Sequence, residues 1–404
     1  MKPMKSCWLR ASAALLLMGG LFVTASSVWA TDKSFEVYGF AQMDYIQDFN
    51  RVDPDWKAAL RPSKIPTTEG QFGSDGQATL SVRQSRLGAK ATMPTEYGDV
   101  NTKLEFDFFG TGADAGQTTI RLRHAYGEWN HILAGQTNTL FMDGDIWPNV
   151  IDYWGPTGMV FYRNVQLRWT AVEGDQSYAF AIEHPSNDVD VGVLREIDPN
   201  LGNVQSDQKY PDFTAQFREN RDWGHMQLAS IIRRLGYDTP NTVNNSPKGH
   251  ETGWGLDLTS AVNMGPKDKL LLGGVYGDGI ASYMNDGGMD LAAQTNGLTG
   301  VSAQAIPLFG LMIYVDHTWS EKWTSSFGYS KTQVSNTDLQ TADTYHCGQY
   351  ASGNLIYYPT KNVFFGGEFM WGQRKDSGGA VGIDRRIQFS TNYKFSSGDI
   401  FSKS

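Results

Sequence analysis

The segment Val100-Asn101-Thr102-Lys103-Leu104-Glu105-Phe106-Asp107-Phe108 decides the fold. Its even-numbered residues are mostly apolar and its odd-numbered residues are all polar or charged. That period of two is a β-strand with one face toward hydrocarbon and one toward water. The charges on its polar face (Lys103, Glu105, Asp107) recur in other strands as Arg121, Arg123 and Glu183. A packed, dry core could not hold so many ions without a large desolvation cost. A water-filled lumen can, if the apolar neighbours touch lipid.

The same alternation returns along the chain. Phe213, Ala215 and Phe217 alternate with Asp212, Thr214, Gln216 and Arg218. Trp254, Leu256 and Leu258 alternate with Gly255, Asp257 and Thr259. Ile387, Phe389, Tyr393 and Phe395 alternate with Arg386, Gln388, Ser390, Asn392 and Lys394. No stretch at helical period competes. After the leader no run is apolar enough for a membrane helix, yet the chain holds 44 Gly, 18 Tyr, 12 Trp and 21 Phe. That combination fits membrane-spanning strands.

Connections fall into two length classes that alternate. Seven short ones are Pro94–Asp99, Trp129–His131, Glu173–Gln176, Asn220–Gly224, Gly265–Lys269, Ser320–Trp323 and Pro359–Asn362. Eight long ones are Phe49–Asp75, Thr111–Gly116, Leu140–Met159, His184–Asp207, Leu235–Glu251, Asp278–Ser302, Asn336–Asp343 and Lys375–Gly382. They separate about sixteen strands, with Leu270 to Ser302 giving no simple strand count. The expected fold is all-β, a transmembrane antiparallel up-and-down barrel with tight turns at one rim and long loops at the other. Only a closed barrel leaves no unpaired strand edge in lipid. Trp223, Trp323, Tyr357, Tyr358 and Tyr393 fall at strand ends, where interfacial girdles form. The competing architecture is a soluble β-sandwich or propeller.

Residues 1–30 read as a secretory signal peptide, with Lys2, Lys5 and Arg10 before an apolar run and Val28-Trp29-Ala30 at the cleavage site. Its removal takes the net charge from −9 to −12 and leaves Cys347 as the one cysteine, so no intrachain disulfide is expected. The acidic balance disfavours nucleic acid as a partner. The barrel is expected over 31–395, with a tail over 396–404.

Basic residues concentrate on neighbouring strands. Arg83, Arg86, Lys90, Arg121 and Arg123 lie on the expected second and fourth strands, Arg168 on the sixth, and Arg386 on the last. Arginines at mid-membrane must face inward, so these seven residues are the expected pore-lining, anion-binding set. Arg83 and Arg86 have opposite parity and share the lumen only if a bulge near Gln84-Ser85 shifts the register. Arginines in a wet constriction attract anions and slow cations. Glu105, Asp107, Glu183 and Glu368 would temper that field. The third long loop carries Asp143, Asp145, Trp147, Asp152, Tyr153 and Trp154, with more large apolar groups than an exposed loop usually has. It is expected to fold inward and narrow the barrel, or else to contact another subunit.

Four segments resemble the DcaP-like outer-membrane porins of proteobacteria. They are Arg83-Gln84-Ser85-Arg86-Leu87-Gly88, Arg121-Leu122-Arg123-His124-Ala125-Tyr126-Gly127-Glu128, Gly135-Gln136-Thr137, and Asn149 through Ile151-Asp152-Tyr153-Trp154-Gly155-Pro156 to Phe161-Tyr162-Arg163-Asn164. The opening Val37-Tyr38-Gly39-Phe40 and the first-loop Asp53-Pro54-Asp55-Trp56 with Leu60-Arg61-Pro62-Ser63 are similar too. The resemblance implies a bacterial outer-membrane location, sixteen strands, a homotrimer, a constricting third loop and uptake of small anionic solutes such as dicarboxylates. It makes Arg83, Arg86, Arg121, Arg123 and Arg163 candidate solute contacts. Some members carry a helical extension before the barrel. Here the first strand is expected to begin at Phe35. Phe395 is followed by nine residues, so either it or Phe401 would serve as the terminal aromatic.

Two other functions remain open from sequence: an outer-membrane barrel enzyme of lipase or protease type, and a plugged barrel that binds at the surface. The histidines (His124, His131, His184, His225, His250, His317, His346) sit in no catalytic motif. Asp143-Gly144-Asp145 and Asp188-Val189-Asp190 lack a full calcium loop. No catalytic residue, metal or cofactor is expected.

Overall fold

The computed structural model describes residues 33–297 and 300–401. The segment read as a signal peptide lies outside them. Sixteen wall strands follow in order: β1 Ser34–Asp48, β2 in two pieces (Gln77–Ser81, Arg86–Thr95), β3 Gly98–Asp107, β4 Arg121–Trp129, β5 Ile132–Asn138, β6 Arg163–Val172, β7 Gln176–Glu183, β8 Asp212–Arg221, β9 Gly224–Asp238, β10 Gly249–Asn263, β11 Asp268–Asp278, β12 Pro307–Ser320, β13 Trp323–Val334, β14 Tyr345–Thr360, β15 Val363–Asp376 and β16 Val381–Ser396. Each pairs antiparallel with its sequence neighbours. β1 then pairs with β16 from Tyr38↔Ser396 to Asp48↔Arg386, closing the cylinder. Closure satisfies every strand edge, which an open sheet in lipid could not do.

The short connections gather at one end and the long loops at the other, as the alternating lengths require. Asn130, between β4 and β5, adopts φ 51°, a left-handed conformation that asparagine tolerates in a two-residue turn. The sixth long loop forms its own hairpin, Leu291–Asn296 with Gly300–Ala305, whose first strand also pairs in parallel with Val189–Asp190 of the fourth loop. This hairpin explains why that stretch resists a simple strand count.

Burial is inverted relative to a soluble β-protein. On β10, Trp254, Leu256 and Leu258 are exposed on the outer wall while Asp257 and Thr259 are buried inside. On β16, Phe389 is 56% exposed and Arg386 and Gln388 are 0% exposed. Leucine or phenylalanine on an outer surface is unfavourable in water and favourable against acyl chains. Trp223, Trp323 and Tyr393 are exposed at the short-turn end, and Trp323 packs on Tyr357 with ring centroids 4.7 Å apart. They form the aromatic border expected at a lipid–water interface.

β2 breaks where the two arginines demanded it. Asp44 of β1 faces Ser81, but Phe40 faces Arg86, so Val82–Ser85 span one residue more than Ala41–Met43 opposite them. The Ser85 hydroxyl bridges the gap, accepting from Gln42 N at 3.0 Å and donating to Gln42 O at 3.3 Å. A second bulge lies between β3 and β4, where Glu105 faces His124 and Phe106 faces Leu122. There Arg123 and His124, adjacent in sequence, are both buried.

Part of the cylinder is filled by loops. Val52, Leu60 and Ile65 of the first loop and Ile146 and Met159 of the third join Ala261, Leu271, Met312, Tyr314, Tyr350 and Met370 of the wall in one apolar cluster. The sixth loop contributes Ile280, Ala281, Tyr283 and Met284 to a second.

Candidate solute pathway

The third loop runs around the inner circumference, fastened strand by strand. At its start Thr139 Oγ1 and Leu140 N donate to Glu183 of β7, at 2.8 and 3.0 Å. Asp143 accepts from Thr259 Oγ1 of β10 at 2.6 Å, lies 2.8 Å from His225 Nε2 of β9, and meets Arg218 of β8 at 3.4 Å. Asn149 bonds Asp316, Thr324 and Asn354 of β12, β13 and β14. Ile151 N and Asp152 N donate to Glu368 of β15 at 2.6 and 2.8 Å, and Gln84, in the break of β2, donates to Ile151 O. Tyr153 OH donates to Asp107 of β3 at 2.5 Å. Each anchor replaces water around a backbone amide or a carboxylate, so the loop keeps its place without leaving buried donors unpaired.

The first and sixth loops clamp this belt from the long-loop side. Arg61 lies between Trp56 and Trp154, 4.2 and 4.3 Å from their ring centres, and both Nε and Nη2 reach Asp286 Oδ1. Ser63 donates to the same carboxylate through N and Oγ, at 2.8 and 2.5 Å. Leu60 N donates to Asp152 Oδ1 at 3.1 Å. The first-loop run Trp56-Lys57-Ala58-Ala59-Leu60 was the sequence sign of this inward fold. It is the same excess of apolar residues that marks the third loop.

What remains open is a cavity of about 1390 Å³ between the belt and the β2–β6 wall. Arg86, Arg121, Arg123 and Arg163 line its wall side, with His124 and Asn138. Trp147, Val150, Tyr153, Trp154 and Phe161 line its loop side. Arg121 pairs with Asp107 at 2.9 Å, and Arg123 with both Glu105 at 2.8 Å and Asp107 at 2.9 Å. Arg86 has only a 3.6 Å contact to Glu105. Arg163 makes no ion pair among the described residues; its Nε is buried without an acceptor and its guanidinium sits 4.9 Å above the Phe161 ring. Although Arg163 shares parity with Val165 and Leu167, it begins β6 and turns into the cavity. Glu105 and Asp107 therefore lie on the same wall as the arginines, not opposite them.

Several expected pore residues stand elsewhere. Arg83 is covered: its guanidinium lies 3.9 Å over Phe109 and donates to Gly110 O, tying the second loop to the wall. Arg386 is fully buried behind the first and third loops, bonded to Asp48 Oδ1 at 2.5 Å and 3.8 Å from Asp384. Neither is a pore-lining residue, because inward loops cover the wall at both points. Arg168 faces inward but donates to Gln166 and to Asn138 O, outside the cavity. Lys90 lies near the short-turn rim, paired with Glu36 at 2.8 Å. Of the loop acids, Asp143 is buried and spent on anchoring, Asp145 is an exposed partner of Arg218 at 2.6 Å, and Asp152 borders the cavity but is 3% exposed and bonded to backbone amides. Trp147, Tyr153 and Trp154 do line the cavity.

Sequence reasoning missed His124, whose parity with Leu122 is reversed by the bulge, and Phe161, which sits at the end of the loop. His124 Nδ1 lies 2.9 Å from Thr137 Oγ1 of β5, in the wall beside the arginines.

Solved structures of similar fold include outer-membrane proteins and porins. The outer membrane channel DcaP of Acinetobacter baumannii aligns with TM-score 0.76 and 21% identity over 90% of this chain and 97% of that one. An anion-selective porin from Comamonas acidovorans aligns with TM-score 0.57 and 12% identity over 90% and 100%. OmpT, an outer membrane protein of Vibrio cholerae, aligns with TM-score 0.52 and 10% identity over 92% and 100%. At such identities the likeness is one of fold. No curated protein matches the sequence. The model of the DcaP outer membrane protein family matches residues 22–395, and the chain belongs to that family as a β-barrel porin of the bacterial outer membrane.

Proposed function

We propose that this porin is a passive, anion-preferring pore for small solutes, dicarboxylates among them, and that it works as a homotrimer without catalysing any reaction. The carrying observation is the imbalance of charge at the narrowing. Arg86, Arg121, Arg123 and Arg163 line it, and the acids beside them are Glu105 and Asp107, both already bonded to arginine. Of the acids that line the rest of the cavity, Asp152 accepts from the amides of Leu60 and Gly155, Asp190 pairs with Arg195 and Asp286 with Arg61, and Asp53, Asp55 and Asp343 stand on the first and seventh loops; Asp143 is turned into the wall and Asp145 pairs with Arg218. An excess of guanidinium in a wet constriction raises local anion concentration and penalises cations. A carboxylate entering there meets donors in a geometry suited to two-pronged bonding. Arg163, with an unmatched donor, is the first contact on this reading, and Arg86 the second.

A trimer is consistent with a Vibrio cholerae OmpT structure described as a trimer form, and with the outward apolar wall, which can face a neighbour as well as lipid. Reversal potentials in planar bilayers under a potassium chloride gradient test the selectivity. The parent should favour chloride, and Arg163→Ala combined with Arg86→Ala should lower that preference. A reversal potential unchanged by the pair, or a cation-selective parent, overturns the proposal. Succinate and acetate run in place of chloride extend the test to carboxylates.

A further inference from the structure

The outer wall changes character toward the long-loop end of β13–β16. Across these four strands one outward row reads Phe327, Gly353, Phe369 and Ile387. The row above it is Tyr329, Ala351, Trp371 and Arg385, and the next is Lys331, Gln349, Gln373 and Ile383. Above that, Lys375 faces Cys347. Inward neighbours fix the sense. Ser330 and Thr332 bond Thr157 of the third loop, Arg374 bonds Ser63 O of the first, and Arg386 is fully buried. Lys331, Lys375 and Arg385 therefore point away from the lumen. The acids of these strands, Glu368, Asp376 and Asp384, are all buried on the inside. None of the three cations makes an ion pair among the described residues; Arg385 has a 3.5 Å contact to Asn50 Oδ1. By contrast Arg234, the outward cation of β9, is paired with Asp207 at 3.3 Å.

The depth of this patch follows from the strand geometry. Trp323 and Tyr357 mark the short-turn border, and Phe365 faces Tyr357. From Phe365 to Lys375 the wall climbs about 25 Å, at ~3.3 Å per residue and a tilt of about 40°, which is the height of the apolar band. The cations thus stand where acyl chains give way to head groups, on the side of the long loops and so of the outer leaflet. Between them the polar row is satisfied by itself. Tyr329 OH donates to Gln349 Oε1 at 2.6 Å, and Gln349 Nε2 donates to Gln373 Oε1 at 2.7 Å. The charges at its edges keep their donors for another molecule. We propose that this face binds a phosphorylated glycolipid of the outer leaflet, of the lipopolysaccharide type. Its phosphates would lie on Lys331, Lys375 and Arg385, and its acyl chains on Phe327, Phe369 and Ile387 below. Basic side chains at this depth attract anionic head groups, and phosphate oxygens accept charge-assisted bonds from them. With strands ~4.8 Å apart the three Cα atoms lie within about 16 Å of one another, a span suited to a head group carrying more than one phosphate.

The experiment presents the intact porin in detergent with bisphosphorylated lipid A, the same lipid stripped of its phosphates, and phosphatidylglycerol, and counts retained lipid by native mass spectrometry. The bisphosphorylated lipid should bind tightest. Lys331→Gln, Lys375→Gln and Arg385→Gln should each weaken it about fivefold, the scale of one basic residue at an anionic membrane surface, and together about a hundredfold. Lys331→Arg with Lys375→Arg, which keeps the charges, should retain the lipid. Lys322→Gln, at the short-turn rim, should change nothing. Retained resistance to heat unfolding shows that the variants keep the barrel. Equal binding of the phosphorylated and stripped lipids, or a triple variant that binds as the parent does, overturns the inference. Phosphatidylglycerol held as tightly as lipid A overturns the choice of lipid. A parent that retains no lipid, with a triple variant that loses its oligomer, assigns the face to subunit contact and overturns the inference as well.

Discussion

Tyr153 of the third loop lies flat on Phe109 of the second, with ring centres 3.9 Å apart and planes 6° from parallel. The same tyrosine reaches through its hydroxyl to Asp107 at 2.5 Å and accepts from Arg123 Nη1 at 3.2 Å. One side chain therefore closes the loop belt onto the arginine wall by both stacking and hydrogen bonding. Tyr153→Ala removes both, including a ring contact of about 1 kcal/mol. Single-channel recording should show higher conductance and more open-channel noise. Tyr153→Phe, which keeps the stack, should show the smaller change.

Asp107 is the acid that most restrains the arginine field, since it accepts from Arg121, Arg123 and Tyr153. Asp107→Asn keeps a carbonyl oxygen for those donors and removes the charge. Anion preference should rise severalfold in reversal-potential measurements, with the barrel still assembled. A fall would mean that the arginines depend on Asp107 for their position more than they are masked by it.

Asp286 holds the first loop in place through Arg61 and Ser63. Asp286→Ala leaves a largely buried guanidinium and a backbone amide without their acceptor, a local cost of about 2 kcal/mol. Hydrogen exchange at residues 53–65 should accelerate accordingly, while exchange in β10 and β11 stays slow.

A pH dependence is expected in the fourth and sixth loops. Asp188 accepts from Asp290 N at 2.7 Å, and burial, reinforced by the neighbouring Asp290 charge, pushes its carboxyl up to about 7. Arg233 partly offsets this, and Asp212 and Tyr283 lie across Arg233 from it. A carboxyl whose folded-state pKa is raised holds its proton in the fold at pH values where the released loop has lost it. Stability of the loop contact therefore falls as pH rises from about 4 to 7. Exchange in residues 184–192, corrected for intrinsic rates, should be slower at pH 5 than at pH 8. Asp188→Asn should flatten the difference.

The inverted wall makes a sharper claim. Leu256 faces outward at the middle of β10, and Leu256→Arg should cost about 2–4 kcal/mol in chemical unfolding from lipid vesicles, as for a cation at bilayer mid-depth. Its inward neighbour Asp257, buried near the Asp143 charge, should tolerate replacement by Asn with no loss.

The strands and their order were legible because a barrel in lipid imposes the strictest alternation a sheet can have. Every residue of Val100–Phe108 touches either hydrocarbon or the interior, and nothing tertiary overrides that. The break in β2 was legible for the same reason, since Arg83 and Arg86 could not both avoid lipid otherwise. The bulge at Arg123-His124 was not, because a histidine at a lipid-facing parity is a far weaker contradiction than an arginine. Accessibility was also hidden. Arg386 and Arg83 do face inward, but whether an inward residue meets solute depends on loops whose packing is set by contacts distant in sequence, such as Gln84 with Ile151 and Arg61 with Asp286. The inward fold of the first loop is signalled in Trp56–Leu60 by the same apolar excess that marks the third.

The circumferential run of the third loop has a mechanical side. A sheet rolled into a tube is soft against flattening, because hydrogen bonds between strands resist stretching far better than bending. A chain segment fixed in turn to β7, β10, β12, β15 and β3 acts as an internal hoop, so squeezing the tube along any diameter must stretch or break an anchor. The anchors thus tie the shape of the bore to bonds inside the tube as well as to those between its strands.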